Sequence, residues 1–275
     1  MKKNKIAKES FESRLLDVNA PFAIREAFNM LRTNLMYTMT DSEQGCPIYA
    51  ITSTIENTGK STVIANLAIS FANISKKVLL IDGDLRCPTL YRFFGQESRQ
   101  PGLSELISGI ETDVLVKNIR PNLDLITSGR IPPNPSELIT SSNFIRLLDA
   151  WKQEYDIIFI DFPPVGIVAD SITICKAITG YIFAIRSGIS GAKSVNAAIE
   201  QMEQIGAKIV GVVLNDYDLK GSVGGYRRYG KYGKYGKYSK YSKHSKYTSS
   251  YETSYKASYK RHSAEQATET DAKSE

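Results

Sequence analysis

The stretch Ala50-Ile-Thr-Ser-Thr-Ile-Glu-Asn-Thr-Gly-Lys-Ser-Thr62 restricts this chain more than any other. An apolar run of β type (Ile48, Tyr49, Ala50, Ile51) enters a polar loop that closes on Gly59-Lys60-Ser61-Thr62. Val63, Ile64, Leu67, Ala68 and Phe71 follow at helical spacing. A strand, a loop ending in Gly-Lys-Ser and a helix together form a cradle for nucleotide phosphates. Backbone N–H groups and the helix N-terminus surround the anion, the lysine neutralises its outer oxygens, and the hydroxyl reaches Mg²⁺. On this reading Asn57, Thr58, Gly59, Lys60, Ser61 and Thr62 bind the cofactor, and Ser61 also serves the metal. The same tripeptide occurs in ordinary surface turns, so the rest of the chain has to support it.

That support comes from the strand ends. Lys77-Val-Leu-Leu-Ile-Asp-Gly-Asp84 and Asp156-Ile-Ile-Phe-Ile-Asp161 are short continuous apolar runs ending in carboxylates, the pattern of buried parallel strands. Residues 123–127, 181–185 and 209–214 read as further strands. Helical spacing covers 23–36, with Phe22, Ile24, Phe28, Leu31 and Leu35 as its apolar stripe, and 192–204. Shorter helical stretches begin at Leu103 and at Ser136, the second after the stiff turn Pro132-Pro-Asn-Pro135. Strands and helices alternating this often predict an α/β P-loop NTPase, a mostly parallel sheet with helices on both faces. Ligands of such sheets lie outside the carboxyl ends of the strands. A single carboxylate there often only caps the next turn. Three converging on one phosphate loop make a nucleotide–Mg²⁺ site, with Ser61 from the loop and the carboxylates Asp82, Asp84 and Asp161 from the other strand ends to hold metal and water.

The 275 residues, 42 % hydrophobic, allow one sizeable domain and an appendage, and the charge shows where they part. Residues 221–275 hold 12 Lys/Arg against 5 Asp/Glu, whereas the first 220 hold 23 against 24. Tyrosines at 226, 229, 232, 235, 238, 241 and 247 keep a three-residue spacing, with His244 in the vacant slot. Tyr251, Tyr255 and Tyr259 continue at four. Gly, Ser and Lys fill the gaps, which leaves nothing to bury, so the division expected is a flexible arm at 1–20, a domain at 21–218 and a disordered tail at 219–275. Tyrosine alternating with lysine and glycine also suits a segment that stacks on nucleic-acid bases. No apolar run approaches the ~20 residues that span a bilayer. The basic N-terminus lacks the apolar centre of a signal peptide. Cys46, Cys87 and Cys175 have no metal-ligand or disulfide spacing, which suits a reducing, cytoplasmic setting.

More of the chain carries recognisable motifs. Arg25-Glu-Ala-Phe-Asn-Met-Leu-Arg-Thr-Asn-Leu35, Lys60-Ser-Thr62, Asp82-Gly-Asp-Leu-Arg86 with Pro88, and Pro101-Gly-Leu-Ser-Glu-Leu106 are four of them. Pro132-Pro-Asn-Pro-Ser-Glu-Leu138, Ile160-Asp-Phe-Pro-Pro-Val165 and Gly211-Val-Val-Leu-Asn215 are three more. Over residues 20–218 the chain resembles the bacterial tyrosine kinases associated with polysaccharide co-polymerases, in the form found as a separate chain, and the tyrosine-rich tail fits the same family. Eukaryotic kinase signatures are missing from the sequence. Partition-type switch ATPases of this fold carry a second lysine early in the loop, where Ile55 stands here. Such a switch, with a tail that binds nucleic acid or acidic membrane, is the alternative reading.

The resemblance implies an ATP- and Mg²⁺-dependent autokinase acting in capsular or extracellular polysaccharide synthesis and export. Lys60 would stabilise the transferring phosphoryl group, with Ser61 and Asp161 on Mg²⁺. Asp82, or else Asp84, would act on the tyrosine hydroxyl. Arg86 would hold a phosphate or the acidic loop, and Asn215 would read adenine or cap a turn. Tyr226, Tyr229, Tyr232, Tyr235, Tyr238, Tyr241, Tyr247, Tyr251, Tyr255 and Tyr259 would accept phosphate. The implied partners are a transmembrane activator that draws the kinase to the inner face of the membrane, a cognate tyrosine phosphatase, and further copies of the chain. Those copies would form a ring in which each tail enters a neighbour, with Glu26 and Arg32 at the contact; nucleic acid is not an expected partner. Three departures stand out: Glu56-Asn57 replaces Pro-Gly, Asn29 replaces an arginine between Glu26 and Arg32, and Tyr91 replaces a histidine.

Overall fold

A computed structural model describes residues 11–17, 19–39, 45–98 and 100–217. The tail at 219–275, with its ten tyrosines, lies outside them. Seven strands form one sheet: β1 (Ile48–Ser53), β2 (Val78–Asp82), β3 (Leu115–Arg120), β4 (Leu123–Ile126), β5 (Ile157–Asp161), β6 (Gly180–Arg186) and β7 (Ile209–Asn215). Their order is β3-β4-β2-β5-β1-β6-β7, and every neighbouring pair except β3–β4 is parallel. The central strands β1, β2 and β5 are buried along their whole length. They therefore need apolar side chains on both faces, which explains their runs of aliphatic and aromatic residues.

Alternate residues feed two separate cores. Ile48, Ala50, Leu79, Ile81, Ile158 and Ile160 face one side, where Leu103, Ile139, Phe144, Leu148, Val195 and Met202 from the helices Leu103–Ile107, Pro135–Thr140, Ser142–Trp151 and Ala192–Gln204 pack on them. Tyr49, Ile51, Val78, Leu80 and Phe159 face the other side, under the helices Lys60–Ala72 and Phe22–Thr38. Eleven residues of Lys60–Ala72 are buried, so this helix is apolar on nearly every face. Register aligns Asp82 with Asp161 and Ile51 with Asp161, which brings the two acidic strand ends beside the one that runs into the phosphate loop.

Three sequence expectations change. Residues 1–20 do not form a free arm throughout, because Leu15 and Leu16 are buried and Phe11 meets Phe93 edge-on at 5.1 Å. Asn66 fixes that segment by accepting from Leu16 N (2.6 Å) and donating to Arg14 O (2.9 Å). The stripe of Phe22–Thr38 begins only at Phe28, since Phe22 and Ile24 are 65 % and 47 % exposed at the helix's open start. Strand β3 has no counterpart among the expected strands. Its pairing with β4 shifts register between Val116 and Arg120, and Asn118 takes a left-handed φ of 52°, so the period-2 signal is broken. Among the described residues no helix is long and apolar enough to cross a membrane.

Candidate nucleotide site

The phosphate loop leaves β1 and returns as the helix Lys60–Ala72. Asn57 and Gly59 both adopt left-handed backbone, at φ 58° and 89°. Asparagine enters that region more easily than most residues, so Asn57 can stand where a glycine is usual. Gly59 has no such latitude, because a Cβ there would lie 2.0 Å from Asn215 Nδ2. That amide donates to Thr58 O (2.8 Å) and braces the loop from the end of β7. Left-handed strain of about 1–3 kcal/mol, apart from the collision, corresponds to roughly a 5- to 150-fold change in an equilibrium. Gly59→Ala is therefore expected to weaken Mg-ATP binding by about that factor in a calorimetric titration. Unchanged affinity would place the nucleotide elsewhere.

The remaining walls are tied to the loop. Thr52 Oγ1 donates to Pro163 O (2.8 Å) and accepts from Val165 N (3.1 Å), fixing the segment after β5. Gly166 lets that segment approach the loop, since a Cβ on it would come within 2.3 Å of Thr54 O. Thr89 Oγ1 donates to Ser61 Oγ (2.8 Å) and joins the acidic segment to the head of the helix.

Lys60, Asp82, Asp84 and Asp161 are all buried, at 8 %, 0 %, 7 % and 2 % exposure. Asp82 Oδ2 accepts from Thr89 N (3.2 Å) and Leu90 N (3.0 Å), and its Oδ1 accepts from Asp84 N (3.3 Å). Asp84 Oδ1 accepts from Arg86 N (3.2 Å) and Cys87 N (2.9 Å). Burial raises the Asp82 carboxyl well above the usual range, and the neighbouring Asp161 and Asp84 charges add to the rise against the Leu90 and Thr89 amides. Burial likewise pushes Asp161 up to about 7, with Lys60 and Ser61 opposing it and Asp84 reinforcing it. Acids this crowded and dry are poor anions until cationic charge arrives. Among the described residues, Thr54 Oγ1, Thr58 Oγ1 and Asp161 Oδ1 are buried without a hydrogen-bond partner. Two orphan hydroxyls in the loop and an orphan carboxylate oxygen at β5 suit phosphate oxygens and a hydrated divalent cation. Among the described residues no three His, Cys, Asp or Glu side chains group as a metal site.

Arg86 has a buried partner that the motifs do not reveal. Its Nε and Nη2 donate to Asp170 Oδ2 (2.6 Å) and Oδ1 (3.2 Å), and Nη2 also donates to Ser136 Oγ (3.0 Å). Ser136 Oγ donates in turn to Asp170 Oδ1 (2.6 Å), so segments after β2, β4 and β5 meet at one carboxylate. Arg186 and Asp216, at the ends of β6 and β7, were likewise not marked by any motif, although Arg186 Nη1 bonds to Asn57 O (3.0 Å). On the helix Phe22–Thr38, Glu26 is exposed and accepts from Asn29 Nδ2 (2.9 Å), while Arg32 Nη1 donates to Ser70 O and Oγ (both 2.8 Å).

A family described as the CobQ/CobB/MinD/ParA nucleotide binding domain matches residues 49–226. The tyrosine-protein kinase CpsD of Streptococcus agalactiae serotype III (strain NEM316) is 37 % identical over 192 residues, covering 69 % of this chain and 81 % of that one. The kinase domain of the Escherichia coli tyrosine kinase ETK superposes with a TM-score of 0.68 at 32 % identity, covering 74 % of this chain and 80 % of the other. The septum site-determining protein MinD of Pyrococcus horikoshii, complexed with Mg-ADP, reaches a TM-score of 0.53 at 24 % identity, with 62 % and 71 % covered, a likeness of fold alone.

Proposed function

The chain belongs to the bacterial tyrosine kinases built on the CobQ/CobB/MinD/ParA nucleotide-binding domain, and from that membership we propose that it phosphorylates its own tyrosine-rich segment in a neighbouring copy. The observation that carries this is one buried lysine among three buried carboxylates, beside orphan hydroxyls of a Gly-Lys-Ser loop. Binding would run through Asn57, Thr58, Gly59, Lys60, Ser61 and Thr62, with Asn215 acting behind the loop. Ser61, Asp82 and Asp161 would hold Mg²⁺ directly or through water, and the ion would neutralise charge on the β- and γ-phosphates when bound.

The tyrosine oxygen forms a bond to the γ-phosphorus as the bond to the ADP oxygen breaks. The phenolic proton leaves to a carboxylate. Asp82 is the favoured base or positioner; Asp84 is the rival. A phenol with a pKa near 10 needs little activation once aligned, so positioning and the Lys60 charge supply most of the rate. Arg86 acts through Asp170, holding the acidic segment in place.

The acceptors are Tyr226 to Tyr259 of the segment 219–275, beyond a domain that also takes in Leu15 and Leu16. Ten phosphotyrosines at about −1.5 to −2 each would overwhelm the segment's positive charge and separate tails that had held a ring together. Phe22, Met30, Met36 and Tyr37 are exposed on one side of the same helix, which supports assembly through that face. Glu26 is open to a neighbour there, whereas Arg32 would first have to leave Ser70. Capsular or extracellular polysaccharide synthesis is the process served. The kinase would act at the cytoplasmic face of the membrane beside a transmembrane activator, with a tyrosine phosphatase reversing the reaction.

Intact-mass spectrometry after incubation with Mg-ATP and an activator peptide tests this, with light scattering on the same sample. The expected result is a ladder of phosphate additions mapping to 226–259, and a falling assembly mass as the ladder grows. ADP formation over an unmodified segment would return the chain to the switch-ATPase reading.

A further inference from the structure

A phosphate loop works only if its N–H groups point at the anion and its carbonyls point away. Here the carbonyls have partners behind the loop. Ile55 O accepts from Ser53 Oγ (2.6 Å), Asn57 O from Arg186 Nη1 (3.0 Å), Thr58 O from Asn215 Nδ2 (2.8 Å) and Gly59 O from Val63 N (2.9 Å). In a planar trans peptide the C=O and the following N–H point in opposite directions. Drawing the Asn57 and Thr58 carbonyls outward therefore turns the Thr58 and Gly59 N–H groups inward, toward the phosphates.

Asn215 belongs to a motif, but Arg186 does not. Its guanidinium is oriented by Asp216, whose Oδ2 accepts from both Nε (3.0 Å) and Nη2 (2.9 Å), which leaves Nη1 aimed at Asn57. Asp216 sits at a left-handed φ of 56°, and Ser187 N donates to Asn215 O (3.0 Å), so the ends of β6 and β7 are locked as one unit. The pair is 35 % and 61 % exposed, a setting in which ion pairs contribute little to folding. Its consequence falls on the loop. We propose that Arg186, oriented by Asp216, is a positioning residue that sets the peptide planes of the phosphate loop and thereby the affinity for nucleotide.

This rests on the nucleotide reading of the site but not on tyrosine as the acceptor, so binding is the measurement. Full-length protein is titrated calorimetrically with Mg-ADP. Arg186→Gln is expected to bind about tenfold more weakly, and Asp216→Asn, which keeps a residue tolerant of the left-handed backbone, about three- to fivefold. The double variant is expected to be no weaker than Arg186→Gln, because the two side chains act as one unit. Arg186→Lys should fall between wild type and Arg186→Gln, since an ammonium cannot span the carboxylate and the carbonyl with a fixed fork. In kinase assays KM for ATP should rise by more than kcat falls, and the melting temperature without nucleotide should stay within about 2 °C of wild type. Wild-type affinity in Arg186→Gln, losses that multiply in the double variant, or affinity lost only in step with melting temperature would each overturn the proposal. Wild type that binds Mg-ADP with this pattern yet forms no phosphotyrosine would support the loop proposal while removing the kinase reading.

Discussion

Lys60→Met is expected to abolish tyrosine phosphorylation, by a factor of about 10³ or more, in a protein that stays folded. Methionine matches the unbranched stem of lysine and fills the same buried slot, so packing changes little. What disappears is the one cation of Lys60, Asp82, Asp84 and Asp161. Asp161 feels Lys60 as the largest influence favouring its charged form, so without it the three acids oppose an incoming triphosphate more strongly. Removing one preorganised donor from a developing oxyanion costs about 10²–10³ in rate. A cation stabilising phosphoryl transfer is worth about 10³–10⁵. Quantitative mass spectrometry of the 226–259 peptides checks the rate, and thermal unfolding with and without Mg-ADP checks the fold. A variant that kept more than a tenth of wild-type phosphorylation would remove Lys60 from the chemistry. One that failed to fold would show its charge to be a structural requirement of the acidic cluster.

The parts of the structure legible in the sequence are those where one local rule decides the outcome. Strands β1, β2 and β5 are buried on both faces and can be read as apolar runs, and their ends and the segments that leave them carry the buried Lys60, Asp82, Asp84 and Asp161. What could not be read depends on partners far apart in sequence. Leu15 and Leu16 look like strays in a polar segment, and the groups that hold them, Asn66 among them fifty residues on, lie far away in sequence. The helical stretch opening at Ser136 breaks in two because Ser141 takes an extended backbone and caps the second helix, accepting from Phe144 N at 3.2 Å. Arg86 was legible as a member of the acidic motif but its partner was not. Asp170 sits at no strand end and in no periodic segment, and 84 residues separate it from the arginine. Arg186 does end a strand, but nothing local marks its bond to Asn57, which spans 129 residues.

Asp170→Ala is expected to have the second largest effect, because it removes the carboxylate at which three segments meet. Asp170 is 3 % exposed and takes two bonds from Arg86 and one from Ser136. Breaking a buried ion pair by deleting one member costs about 3–5 kcal/mol. Arg86 keeps 18 % of its side-chain surface in solvent, which places the loss toward the lower end of that range. The cost to activity should exceed what instability explains. Without its anchor Arg86 no longer fixes the segment from Asp82 to Pro88, and Asp82 and Asp84 are positioned through the backbone amides of Asp84, Arg86, Cys87, Thr89 and Leu90. A shift of 1 Å in a reacting group can cost about 10²-fold. Urea unfolding of Asp170→Ala and of Arg86→Met/Asp170→Leu, beside phosphotransfer at saturating ATP, separates the two effects. An apolar pair can restore stability where a broken ion pair loses it, so the double variant should regain much of the midpoint and little of the rate. If both return together, the Arg86–Asp170 pair is ordinary packing. If stability returns alone, the pair holds the acids where the phosphoryl group has to pass.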